Sequence, residues 1–317
     1  MRILITGGFG YIGGRIAQHL QEFGNNILLG SRYDGAPADW LPRAEVVQTE
    51  WSDGSLLEQI CRGVDVVIHA AGMNAGDCAA DPVAALECNG LFTARLVRAA
   101  TSAGVKRFIY LSTAHVYGSP LAGIITEETC PGNLHPYTTS HLAGESVVLA
   151  ANHNRNILGI VLRLSNAFGV PAHKDVNCWM LLVNDLCRQA VETGIMVLHS
   201  NGRQLRDFVS IDSVCSVVTS LITEERLVRI NRIINIGSGK AISVIAMAET
   251  IQVRCSVILG YMPIIDRPTF EQGEVASVLE YKTQRLDELG LKLREDLISE
   301  IDALLQFCRA NFTTEVI

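Results

Sequence analysis

Short apolar runs alternate along the chain with stretches in which apolar residues recur every three or four positions. Ile3–Thr6, Ile27–Leu29 and Val46–Val47 read as short strands. Asp65–Ala71 reads as a buried strand bounded by Gly63 and Gly72, and Phe108–Ser112 and Gly159–Leu164 as two more. Between them, Tyr11–Phe23, Leu56–Cys61, Ala84–Ala103 and Tyr137–Ala151 carry helical spacing. Strands that are apolar throughout, rather than alternating, belong to a parallel sheet covered on both faces. The rhythm therefore predicts an α/β fold with a doubly wound parallel sheet. Past about residue 165 it becomes irregular. A helix is expected over Trp179–Thr193, a strand over Ile233–Ile236 ending at Gly237-Ser238-Gly239, and a helix over Leu293–Ala310, while Arg206–Val214 mixes charge with apolar residues. We expect one sheet domain from residues 1–165 with about 206–237. A smaller discontinuous region, 166–205 and 238–317, is expected to fold over the sheet's carboxyl edge, where such sheets bind ligands.

Composition narrows this further. Of 317 residues, 48% are hydrophobic and 19% charged, enough apolar material for a sizeable core and too much for a disordered chain. The net charge is −7, and no block of Lys or Arg stands out. A nucleic-acid groove and an anionic membrane surface are therefore not expected as partners, and any anionic ligand must be held by a few local donors. The nine cysteines are scattered without a CxxC pair, as in a cytoplasmic chain with reduced thiols filling apolar positions. The start, Met1-Arg2-Ile3-Leu4-Ile5, enters a strand directly and lacks a secretory layout. No run of eighteen apolar residues is present, and no metal-ligand spacing appears.

The chemistry begins at Thr6-Gly7-Gly8-Phe9-Gly10-Tyr11-Ile12-Gly13, which follows the first strand and opens the first helix. In that context Gly7 and Gly10 let the backbone turn tightly beside a pyrophosphate, and Gly13 lets helix and strand pack closely. The helix N-terminus adds unpaired N–H groups and a positive dipole end. Glycines 7, 8, 10, 13, 118, 237 and 239 are expected at ligand-facing turns.

The Gly-x-x-Gly-x-x-Gly spacing, with the segments that follow, resembles the extended short-chain dehydrogenase/reductase family, in its nucleotide-sugar epimerase/dehydratase/reductase branch. The likeness runs from Ile3 to about Leu291. It implies a Rossmann-like fold, a homodimer packed through the helices near Ala84–Ala103 and Tyr137–Ala151, and a nucleotide-diphosphate sugar as substrate. For the cofactor it implies contacts from Gly7, Gly10, Tyr11, Ile12, Gly13, Ala70, Ala71, Gly72, Ser112, Tyr137 and His141. Members that select NAD carry an acid at the end of the second strand, on the ribose 2′-hydroxyl. Here that place holds Ser31, followed by Arg32, a pair suited to a 2′-phosphate. NADP is thus favoured, with NAD as the alternative. Arg32 is otherwise a solvated loop arginine, and Asp34 could return to the ribose and restore NAD use. Glu50 falls where the family places an adenine-contacting Asp.

Thr113, in Leu111-Ser112-Thr113-Ala114-His115-Val116-Tyr117-Gly118, matches the family's catalytic hydroxyl. Tyr137 matches its catalytic tyrosine, but the lysine four residues on is His141. A tyrosine of ordinary pKa near 10 is a poor base, and His141 adds positive charge only when protonated. In the reductive direction a neutral phenol suffices as proton donor. That points to an NADPH-dependent 4-ketoreductase. An epimerase with tightly held cofactor is the alternative, and a catalytically weak dinucleotide-binding sensor or assembly protein is a third reading. His115 replaces the Glu of the dehydratases' Asp-Glu, which argues against 4,6-dehydration. It is either an acid/base residue or part of the pocket wall. Asn166, Arg206 and Arg267 match the residues that hold the substrate's diphosphate, whereas Asp207 and Asp212 are expected to hold structure.

Overall fold

The computed structural model describes residues 1–32, 35–154, 157–229, 232–268, 278–294 and 296–313. Its centre is a seven-stranded sheet formed by β1 (Arg2–Thr6), β2 (Asn26–Ser31), β3 (Glu45–Gln48), β4 (Val66–His69), β5 (Arg107–Thr113), β6 (Leu158–Leu164) and β7 (Ile233–Ile236). The order is β7-β6-β5-β4-β1-β2-β3, and every neighbouring pair is parallel. The direction of winding reverses between β1 and β4, which opens a crevice at their carboxyl ends.

Both faces of the sheet are covered. Successive residues of a strand point to opposite faces. Ile3 and Ile5 accordingly join Ile16, Leu20, Val214 and Val218 on one face. Leu4 joins Leu57, Leu96, Phe108 and Val161 on the other. Ile3, Leu4 and Ile5 have no exposed surface. Each therefore contributes about 1.5–3 kcal/mol of apolar burial, and no exposed-face alternation is left to see in the sequence.

Beyond residue 165 a separate apolar cluster gathers Phe168, Leu186, Phe208, Met247, Ile251 and Leu304. A small sheet joins Asn166–Phe168 in parallel to Leu205–Ser210, which pairs antiparallel with Ala241–Ser243. Arg206–Val214 thus resolves into a strand followed by the helix Ile211–Leu221.

Some elements differ from expectation. The stretch Ala84–Ala103 is not one regular helix: Pro82–Ala85 and Phe92–Ser102 are α-helical, and Leu86–Leu91 between them is π-helical. The wider turn carries Asn89 and Gly90 inward while Leu86 and Leu91 stay exposed. The helix at the C-terminal end spans Leu297–Phe312, later than expected. The helix Val244–Ile258 was not anticipated; exposed Val253 and Val257 blur its periodicity. Among the described residues no helix is long and apolar enough to cross a membrane, and no group of three or more His, Cys, Asp or Glu could hold a metal ion.

Candidate active site at the carboxyl edge of the sheet

The loop after β1 is shaped by close backbone approach. Gly7 has φ +68°, and a Cβ there would lie 2.6 Å from Ala71 N, so a side chain meets both strain and backbone. A Cβ on Gly13 would lie 2.3 Å from Gly7 O. The glycine loop and the segment Ala70-Ala71-Gly72 after β4 therefore press together. The helix Tyr11–Glu22 starts at Gly10 in extended backbone with no side-chain cap. Its first N–H groups and dipole end are left to an external anion. This cradle fits a dinucleotide pyrophosphate. Tyr11 and Ile12 stand at its lip, but the Tyr11 ring is buried and its hydroxyl donates to Gly169 O at 3.0 Å. Its backbone N–H is what remains for a phosphate.

Gly8 and Gly237, also expected at ligand-facing turns, are closely packed as well. A Cβ on Gly8 would lie 2.5 Å from Leu29 Cδ2, and one on Gly237 2.5 Å from Asp207 Oδ1.

At the end of β2, Thr49 donates through N and Oγ1 to Ser31 O at 2.7 and 2.9 Å, and Arg32 is exposed beyond. Burial and then Cys78 raise the Cys88 thiol, and the Arg32 charge opposes that shift. Asp34 lies outside the described residues. Glu50 is exposed after β3. Ser52 donates to it through Oγ at 2.6 Å and N at 3.2 Å, and these bonds hold its carboxyl below the usual range.

The catalytic candidates come from β5 and the helix Pro136–His153. Thr113 closes β5, and its Oγ1 accepts from His115 N at 3.2 Å. Pro136 sits in the first turn of the helix, with the His135 ring accepting from Tyr137 N at 3.2 Å. Residues four apart share a face, so Tyr137, His141 and Glu145 form a column. The Tyr137 and His141 rings meet edge to face at 4.6 Å. Burial pushes the Tyr137 phenol up, against a pull down from the Thr113 hydroxyl. It is therefore a proton donor near neutrality. Burial drives His141 down to about 4. His141 thus stands in the lysine's place without the lysine's charge at neutral pH. Its ring closes against the cradle, since a Cβ on Gly72 would lie 3.9 Å from His141 Cε1. His115 is half-buried, and burial and then Arg206 push it down.

Several members of the site were not singled out from sequence. Arg163 and Glu145 form a buried ion pair, with Nε and Nη2 at 3.0 and 2.6 Å from the carboxylate oxygens. Ser112 lies opposite Arg163 in register, and its hydroxyl donates to the same Glu145 at 2.5 Å. The Ser112 side chain thus faces the helix and is engaged by Glu145. Asn89 bridges segments: Oδ1 accepts from Met73 N, and Nδ2 donates to Ser140 Oγ, both at 2.9 Å. The charged Arg163 inside an otherwise apolar strand was the visible signal.

On the sugar side, Asn166 donates to Asp207 O at 2.8 Å. Asp207 is fully buried. Burial raises its carboxyl, while the Ser238 N and Oγ, both at 2.9 Å, oppose that shift. Its role is structural, as is that of Asp212, which pairs with Arg294 at 3.3 Å. Arg206, next to it, is different. Its guanidinium is half-buried, burial lowers its pKa, and among the described residues it makes no ion pair or hydrogen bond. Its charge is felt at His115. Arg267 is exposed and donates to Asn201 O at 2.9 Å.

A family model described as "NAD dependent epimerase/dehydratase family" matches residues 3–237. A dTDP-glucose 4,6-dehydratase of Streptomyces niveus is 24% identical over 98% of this chain and 94% of that one. A UDP-glucose 4-epimerase of Erwinia amylovora is 27% identical over 80% of this chain and 82% of that one. The solved structure of MoeE5 in complex with UDP-glucose and NAD superposes with a TM-score of 0.79 at 25% identity, covering 98% of this chain and 99% of that one.

Proposed function

Because the chain belongs to the NAD-dependent epimerase/dehydratase family, we propose that it inverts a carbinol centre of a nucleotide-diphosphate sugar by removing and returning a hydride. The observation that carries this reading is Arg206: a half-buried guanidinium with no anionic partner among the described residues, whose charge is felt at His115 after β5. Burying a cation without a counter-charge is costly, and a diphosphate supplies that charge in bidentate geometry. Asn166, one strand away, would share the contact.

The cofactor would lie on Gly7, Gly10 and the N–H groups of Tyr11–Gly13, with its ribose toward Ser31 and Arg32 and its nicotinamide toward Ala70–Gly72. It would supply the hydride acceptor and donor and, when oxidised, a positive charge. The residues do the rest. Thr113 would hydrogen-bond the reacting oxygen, and Tyr137 would take its proton as the phenolate and, as the phenol so formed, give it back. His141 donates from the place of the usual lysine. Relatives named with NAD support that dinucleotide; Ser31-Arg32 favours NADP.

A second reading has its own support. A phenol raised by burial beside a neutral His141 is better suited to giving a proton than to taking one, which favours a 4-ketoreductase. One experiment separates the two. The purified chain is incubated with NAD or NADP and UDP-glucose, or with a 4-keto nucleotide sugar and NADPH. NMR follows the sugar, and absorbance follows the reduced nicotinamide. Inversion without net cofactor consumption is expected, and Tyr137→Phe should slow it about a hundredfold or more. Stoichiometric loss of NADPH would replace epimerisation by reduction. No turnover in any arm, or full turnover in Tyr137→Phe, would sink both.

A further inference from the structure

The sheet register sets Thr6, His69 and Tyr110 in one row across β1, β4 and β5. His141, on the helix above, ends the row: Tyr110 Oη lies 2.9 Å from His141 Nδ1, and both residues are buried. The protons along this row can be assigned by counting donors. Asn89 O only accepts, so the Thr93 hydroxyl at 2.7 Å donates to it. Thr93 therefore receives from His69 Nε2 at 2.9 Å, and Thr6 donates to His69 Nδ1 at 2.5 Å. The Tyr110 hydroxyl has one proton and three polar neighbours: His141 Nδ1 at 2.9 Å, Asn89 O at 3.5 Å, and the Thr93 hydroxyl, which already donates to Asn89 O and accepts from His69 Nε2. The longer distance is outside the range of a good hydrogen bond. The proton goes to the imidazole.

We propose that Tyr110 is a positioning residue that fixes His141 as the Nε2–H tautomer, so that a neutral ring presents one permanently directed N–H donor to the cofactor side of the site. Two observations aim that donor. Nδ1 is occupied within the fold, and Cε1, between the two nitrogens, faces the Gly72 segment of the cradle. A lysine in this place would bring charge and three rotating donors; the Tyr110–His141 pair brings direction without charge. The tautomer stands on this geometry alone. Only its use as a donor to a hydroxyl of the dinucleotide rests on the function proposed above.

The test is two-bond ¹H–¹⁵N correlation on the full chain labelled at histidine, with His141 identified by its absence in His141→Gln. At neutral pH we expect His141 to be protonated on Nε2, with Nδ1 accepting a hydrogen bond. A slowly exchanging phenolic proton should show an Overhauser contact to its ring. In Tyr110→Phe the two tautomers should mix, and the Kd for NAD should rise about fivefold. A wild-type His141 protonated on Nδ1, or on both nitrogens, overturns the proposal. So does an unchanged tautomer in Tyr110→Phe. If that variant does not fold, the wild-type tautomer and the phenolic proton still decide. Absence of sugar turnover would overturn the proposed function and leave this spectrum unaffected.

Discussion

Among the described residues the half-buried Arg206 guanidinium has no anionic partner. Arg206→Ala is expected to weaken UDP binding about ten- to a hundredfold, the range for hydrogen bonds to charged groups, with NAD affinity unchanged. Arg206→Lys, which keeps charge and loses the fork, should fall between. Titration calorimetry with UDP checks this, and equal affinity in Arg206→Ala would remove the diphosphate from this site. Thr113, Tyr137, His141 and Arg206 were legible because each lies in a recognisable local spelling. Tyr110 was not, because its partner is 31 residues away on a helix and its own strand spells only a buried apolar run. The pair Glu145–Arg163 was hidden in the same way: each residue looks misplaced alone, and only the packing of helix on strand explains both. Removing either partner leaves a buried charge, at a cost of about 3–5 kcal/mol.

At the scale of elements, the glycine loop was legible because its constraint is local. Gly13 faces Gly7 O across one turn, and the spacing alone announces that contact. Gly13→Ala places a methyl against backbone that has nowhere to go. We expect a loss of about 1–3 kcal/mol, as for other overpacked sites, together with most of the thermal shift produced by NAD. Urea unfolding with and without NAD measures both; wild-type stability in this variant would mean that helix and loop are not held together here. The strands β1 to β7 were found from their apolar runs, but the interruption at Leu86–Leu91 was not. Helical periodicity assumes 3.6 residues per turn, and a π turn breaks that count. Asn89, buried and bonded at both ends of its amide, explains where the extra residue goes.

The whole molecule carries its buried histidines as a pH dependence. Burial lowers His69, to about 3, and His141, to about 4, while an unfolded histidine titrates near 6.5. A lowered folded value means that the unfolded chain binds protons first. Stability is therefore full above about pH 6.5 and falls as pH drops toward 4 and then 3. His69→Gln should flatten that fall by about 1.4 kcal/mol per pH unit between those limits. Urea midpoints across the window check it, and parallel slopes for wild type and variant would show that His69 is not buried neutral. The α/β class was legible from rhythm alone, whereas the assembly beyond residue 165 was not: its small strands pair across long stretches of chain, as Leu205 does with Ser243. The layout of the site also has an order in time. Gly7, Gly10, Gly13 and Ala70–Gly72, which form the cradle, are all synthesised before Thr113 and Tyr137. Asn166 and Arg206 follow later still. A growing chain thus holds every residue of the cradle long before it holds any residue that would grip the sugar's diphosphate.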